Sequence, residues 1–340
     1  MTFIIAECAQ GYAQPTISES IVLAKWLTRA AKGASADAVK FQLIIANELA
    51  CLDYKYYDLF KSLELGEDGW KSVCSLALEV GIDLIFDIFG ASSLALAEMI
   101  GVSTIKLHPT DFCNDKLIKM VANSTVITNV IAGSGGSTES EVRHLCATLL
   151  PAKKVTLLHG FQGYPTPREE NALLRLNFLA SLSALYGDSL QIGFADHADP
   201  LSSDSTHLAA CSIGYGAKVI EKHLTLAKCL ALEDCESALS PDEFLEFVAI
   251  VKACDDASGL NIQGSSDFTL GNSEFNYRNL VRRHVVAACD IDSNTVLEEH
   301  HLALKRSASL SPITSLEKVI GMKVLRACRK DHAFALEDLI

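Results

Sequence analysis

Residues 193–200 read GFADHADP, and residues 217–226 read AKVIEKHLTL. Each is an apolar run that ends abruptly in ionisable side chains: Asp196 and His197 in the first, Glu221, Lys222 and His223 in the second. A buried strand has no structural use for charge at its carboxyl end, whereas a barrel or an open α/β sheet places its chemistry there. Two imidazoles delivered from adjacent strand ends can share one divalent metal ion. His197 and His223 are therefore candidate metal ligands, and a two-ligand site leaves coordination positions open, as a catalytic ion requires.

Working outward from these two runs, further short apolar, β-branched stretches recur: Phe3–Glu7, Ala38–Gln42, Leu84–Phe89, Thr104–His108, Val126–Ala132 and Val155–Gly160. With Gln191–His197 and Ala217–His223 they make about eight. The runs are continuous rather than alternating, as expected of parallel strands covered on both faces. The stretches between them have helical spacing: Leu173, Leu176, Leu179 and Leu182 keep a three-to-four-residue rhythm, and Gly187 supplies a stop. Eight β/α units in about 250 residues predict a (β/α)8 TIM barrel over 1–258. An open doubly wound sheet fits less well, because no glycine-rich turn follows Phe3–Glu7. A helix is expected from Pro241. The polar, Gly-, Ser- and Asn-rich stretch within 259–281 reads as a linker, and 282–340 as a small β-rich domain of short strands and turns.

The totals narrow the function. The chain has 340 residues, 49% hydrophobic and 21% charged, a globular composition. A formal net charge of -13 argues against nucleic acid or an anionic membrane as partner. It leaves room for an anionic small molecule where a few cations converge. The eleven cysteines form no C-x-x-C pair and sit mostly in apolar settings. They read as reduced residues of a cytoplasmic protein. No apolar run is long enough to span a membrane, and Met1 and Thr2 lead straight into FIIAE, so no secretory signal is expected.

In a barrel, the strand ends should assemble one site. In chain order they supply Glu7, Lys40 with Gln42, Asp87, Lys106 with His108, the AGSGGS loop at 132–137 that contains Ser134, His159 with Gln162, Asp196 with His197, and Glu221 with His223. This mixture suits a phosphate-bearing substrate and a divalent ion. Lys40 and Lys106 lie inside apolar strands, where an ammonium needs a counter-charge. They either pair with Glu7 or Asp87, or together bind phosphate or carboxylate. The glycine-rich loop leads into a helix whose backbone N–H groups could hold a phosphate, or is only a tight turn with a capped helix behind it. The segment GYPTPREE at 163–170 is a proline-fixed helix start that would add Tyr164 and Gln162 as substrate contacts.

Taken together, IIAECAQ, ADAVKFQ, YPTP, GFADH, GAKVIEKHLTL, ESALSPDEF and the tail VVAACDI with VLEEHHLALKR resemble the sialic acid synthase family, in its order and spacing. The resemblance implies a (β/α)8 barrel followed by an antifreeze-like (SAF) domain, in a domain-swapped homodimer. It implies condensation of phosphoenolpyruvate with an N-acylated amino-sugar aldehyde, such as N-acetylmannosamine, to a nonulosonic acid and phosphate. His197 and His223 would hold Mn2+ or Mg2+. Lys40, Lys106, Asp111 and Asp196 are the expected catalytic groups. Glu7, Gln42, Gln162, Tyr164, Ser134, Lys222 and Arg306 are the expected substrate contacts, with Arg306 reaching the acyl-amino group from the second subunit. The chain departs from the family's pattern at residues 11–14, GYAQ for NH[EN]G; at 106–111, KLHPTD for KIGSGE, which puts Pro109 at a phosphate-contacting serine; at Ala195, for the serine of SDHT; and at RSA, for RPG. Two other readings stand beside this one: a Schiff-base aldolase using Lys106 or Lys222, and a sugar-binding barrel that has lost turnover.

Overall fold

Eight parallel strands close a barrel in chain order: β1 (Phe3–Ala9), β2 (Ala38–Leu43), β3 (Asp83–Ile88), β4 (Thr104–Leu107), β5 (Asn129–Gly133), β6 (Lys154–Gly160), β7 (Leu190–Asp196) and β8 (Val219–His223). The structure is a computed structural model that describes residues 1–160, 163–202, 204–258, 270–308 and 313–340. It divides into two compact units, Met1–Gln263 and Gly264–Ile340.

Every expected run contributes a barrel strand, with ends displaced by a few residues. The largest displacement is at β5. There the Ser124 hydroxyl accepts the backbone N–H groups of Val126 and Ile127, and the Thr128 N–H goes to Ser103 O, so pairing starts only at Asn129. Helices separate the strands. Arg175–Tyr186 buries Leu176, Leu179 and Leu182, the leucine rhythm seen in the sequence, and stops where Gly187 adopts φ +56°. Thr138 caps Glu139–Leu149 reciprocally with Glu141. The helix Pro241–Ser258 follows β8 as expected.

Side chains alternate across each strand. Ile5, Ala38, Ile85, Ile131, Leu158, Ala195 and Val219 fill the barrel interior. The intervening residues pack outward against the helices, where the larger core contains Val39, Phe41, Phe86, Ile105, Leu157, Phe194 and Ile220.

In the second unit, residues 272–281 form a helix that buries none of its side chains, so the stretch expected as linker is helical over that part. Strands β9 (His284–Ala287) and β10 (Leu302–Lys305) pair antiparallel. Val285, Ile291, Leu297, Val324 and Phe334 belong to the unit's own buried cluster. Asn294 takes the left-handed conformation, φ +66°, which asparagine tolerates better than most residues.

Candidate active site

Strand register brings the polar residues together. Glu7 pairs with Lys40 on one side and His223 on the other. Gln42 lies beside Asp87, Asp87 beside Lys106, and Ala195 beside Glu221. One residue further along the inward face than Ile5, Ile85, Ala195 and Val219 come Glu7, Asp87, His197 and Glu221. The apolar barrel core is thus roofed by charge at its carboxyl end. Above that layer opens a cavity of about 300 Å³, lined by Glu7, Gln42, Asp87, Lys106 and His108 among others, with Gly133 and Gly135 of the glycine loop, Tyr164, His197, Glu221, His223 and Asp234.

Two ammonium groups face three carboxylates here. Lys106 Nζ lies 2.7 Å from Glu221 Oε1 and 3.8 Å from Asp87 Oδ2. Lys40 is fully buried beneath it, paired to Glu7 and lying 3.3 Å from Asp87 Oδ2 and 3.6 Å from Glu221 Oε2. Each ammonium therefore has its counter-charge, which meets the cost of burial. Burial and the neighbouring Lys106 lower the Lys40 pKa against the pull of Glu221. At Lys106 burial works downward too, but Glu221 and Asp87 outweigh it and raise the pKa. Burial would raise Glu221, yet Lys106 and Lys40 hold it down at about 2. The other Glu7 oxygen accepts the N–H of Ala9 at 2.6 Å, where β1 bulges and Ala9 turns to φ +41°.

One carboxylate remains in excess, and two buried oxygens, Asp87 Oδ1 and Glu221 Oε2, have no hydrogen-bond donor among the described residues. On the same rim the His197 and His223 rings stand 5.1 Å apart, centre to centre, with the Tyr164 ring 6.1 and 5.5 Å from them. Burial drives the His197 pKa down to about 3 and His223 well below its usual value, so both rings are neutral, the ligating form. His197 Nδ1 faces Ala195 O at 3.2 Å. Two neutral imidazoles beside surplus negative charge fit a divalent cation. Among the described residues no group of three His, Cys, Asp or Glu converges on one point, so the fit rests on the imidazole pair.

Five residues expected at the site lie outside the cavity lining. Asp196 and Lys222 point out of the barrel, because each neighbours an inward-facing histidine along its strand and successive side chains alternate. They form a separate buried pair at 3.3 Å, away from the cavity. Ser134 hydrogen-bonds to Leu158 O through both its N–H and its hydroxyl, leaving Gly133 and Gly135 as the cavity wall. Asp111 ends the short turn Pro109–Asp111 outside the lining, half-buried and bonded by Asn114 Nδ2 at 3.4 Å. His159, also read as a strand-end group, faces outward and meets Asn171 O at 2.8 Å.

Lys40 lies under the cavity floor rather than in its wall. Gln42 accepts from Gln10 Nε2 at 2.9 Å, and the Tyr164 hydroxyl donates to Asp234 O. Gln162 lies outside the described residues. Arg306 is exposed in the second unit, just after β10. Asp234 was missed: it lies in an acidic loop after β8 with no strand pattern to mark it, and burial pushes its pKa up to about 6.

A closed (β/α)8 barrel with a polar cavity at the carboxyl ends of its strands has the anatomy of a barrel enzyme. This chain belongs to the NeuB family, whose model matches residues 27–263. Over 347 residues it is 26% identical to the N,N'-diacetyllegionaminic acid synthase of Campylobacter jejuni, covering 97% of this chain and 98% of that protein. It is 24% identical to a pseudaminic acid synthase of the same species, covering 94% and 92%. The N-acetylneuraminic acid synthetase of Leptospira borgpetersenii superposes with a TM-score of 0.70 at 24% identity, over 82% of this chain and 91% of that one, and confirms the fold. No helix among the described residues is long and apolar enough to cross a membrane.

Proposed function

We propose that this protein condenses phosphoenolpyruvate with an N-acylated amino-sugar aldehyde of the N-acetylmannosamine type, giving a nonulosonic acid and phosphate. The observation that carries the reading is the meeting of Lys106 with two neutral imidazoles in one cavity of a NeuB-family barrel. Relatives named for legionaminic and pseudaminic acids match at nearly equal identity. The acceptor is therefore proposed as a class of sugar.

His197 and His223 would hold Mn2+ or Mg2+, which when bound supplies a Lewis acid for the aldehyde oxygen. The chain's own groups do the rest. Lys106, held charged by Glu221, balances the phosphate or carboxylate of phosphoenolpyruvate, and Lys40 supports it from below by fixing Glu7, Asp87 and Glu221 in place. The vinyl carbon bonds to the aldehyde carbon, and water adds to the carbon bearing the phosphate. That carbon–oxygen bond then breaks, releasing inorganic phosphate. The barrier falls through positioning and fixed charge. Tyr164, Gln42 and Glu7 complete the substrate wall. The SAF-type second unit, the domain-swapped homodimer and the contact of Arg306 with the acyl-amino group belong to the same proposal.

A Schiff-base aldolase is disfavoured. It needs an uncharged amine, whereas Glu221 and Asp87 outweigh burial to keep Lys106 protonated, and Lys222 lies outside the cavity. The test is phosphate release from phosphoenolpyruvate with a panel of N-acylated amino-sugars. Release that depends on Mn2+ and stops with EDTA supports the reading. Absence of release across the panel, or trapping of substrate by borohydride, overturns it.

A further inference from the structure

Glu7, Asp87, Glu221 and Asp234 are the carboxylates of the cavity lining, while Lys106 is its ammonium and His108 lies beside it, with Gly133 and Gly135 also in the lining. Gly133 is held close to Lys106: a Cβ there would lie 3.2 Å from Pro109 Cδ and 3.7 Å from Lys106 Cε. An anionic group entering the cavity belongs beside Lys106, the ammonium of the lining, with His108 two residues further along the chain on the same side.

His108 is set up as a donor by its neighbours. It caps the turn Pro109–Asp111, its Nδ1 accepting the backbone N–H of Thr110 at 3.4 Å with the Thr110 hydroxyl 2.8 Å away. A backbone N–H can only donate, so Nδ1 is the acceptor and a neutral ring carries its hydrogen on Nε2. Burial lowers the His108 pKa, which keeps the ring neutral. Phe89 packs beside it, ring centres 6.1 Å apart. Pro109, next along the wall, has neither hydroxyl nor N–H to offer.

We propose that His108 is a substrate contact, its Nε2–H donating to the phosphate of phosphoenolpyruvate beside Lys106, and that it sets the affinity of this chain for that substrate. The inference rests on the proposed condensation. The test titrates phosphoenolpyruvate into the full-length protein and into His108→Ala and His108→Gln, alongside KM values for both substrates. Glutamine places an amide N–H near the position of Nε2. His108→Ala should bind phosphoenolpyruvate about tenfold more weakly, the loss of one hydrogen bond to a charged group. His108→Gln should recover most of that, and the KM for the amino-sugar should hold in both variants. Unchanged phosphoenolpyruvate affinity in His108→Ala, or parallel losses for both substrates, overturns the role of His108 while leaving the condensation standing. Failure of the unaltered protein to bind phosphoenolpyruvate overturns both.

Discussion

Two clusters of buried charge occupy adjacent positions on the same strands and face opposite ways. On β7 and β8, His197, Glu221 and His223 turn into the barrel mouth, while Asp196 and Lys222 turn out toward the helices. The inner cluster has more carboxylates than ammonium groups and a cavity above it. The outer pair is matched one to one. Asp196 Oδ1 accepts the N–H of Ala198 at 2.8 Å, and Lys222 Nζ donates to Ala198 O at 3.2 Å, so the pair grips the turn that follows His197. A charge imbalance beside empty space points to ligands; a closed balance points to structure.

The sharpest way to break this distinction is to unbalance the outer pair. Lys222→Met leaves Asp196 buried without a counter-charge, and stability should fall by about 3–5 kcal/mol. The double variant Asp196→Asn/Lys222→Met should recover most of the loss, since no bare charge remains. Urea unfolding of the set measures it. A single variant as stable as the unaltered protein would mean the pair contributes nothing to the fold.

The inner counterpart is Lys106→Met. It should lower kcat/KM for phosphoenolpyruvate by about a hundredfold to a thousandfold, the usual cost of losing one group aimed at substrate charge. Its stability should fall less than that of Lys222→Met, because water can reach the cavity and Lys40 still faces Glu221. Steady-state phosphate release and a melting curve separate the two effects. If both lysine variants lose stability alike and keep turnover, the inner and outer clusters are one kind of thing.

The sequence already held most of this contrast. Uninterrupted apolar runs revealed the eight strands, because a parallel strand covered on both faces has no polar side to show. The same runs hid which end-residues face the mouth. Asp196–His197 and Glu221–Lys222–His223 were read as groups, although a strand can turn only every second residue inward. Applying that alternation from the barrel-core Ala195 and Val219 would have kept His197, Glu221 and His223 and released Asp196 and Lys222. Asp234 and the spent hydroxyl of Ser134 were beyond such reasoning. Both depend on how loops fold over the mouth, and loops carry no period.

The smallest effect concerns pH, and it asks whether the inner imidazoles are neutral. An unfolded histidine takes up a proton near 6.5, whereas His197 resists protonation until about 3. Between those values the unfolded chain binds one more proton than the native one. The stability contributed by a neutral His197 is thus complete above pH 6.5 and drains away toward pH 3, by about 1.4 kcal/mol per pH unit. Asp234, raised to about 6, works in the opposite sense below that pH, because there the native state holds the extra proton. The measurement is therefore a difference. In metal-free protein unfolded by urea at pH 7, 6 and 5, His197→Gln should lose stability more gently on acidification than the unaltered chain. Asp196→Asn/Lys222→Met, which touches no imidazole, should follow the unaltered slope. Equal slopes in all three would mean that His197 titrates like an unfolded histidine. Burial would then not be what keeps the inner imidazole neutral, and the contrast with the outer pair would rest on the cavity and the excess carboxylate alone.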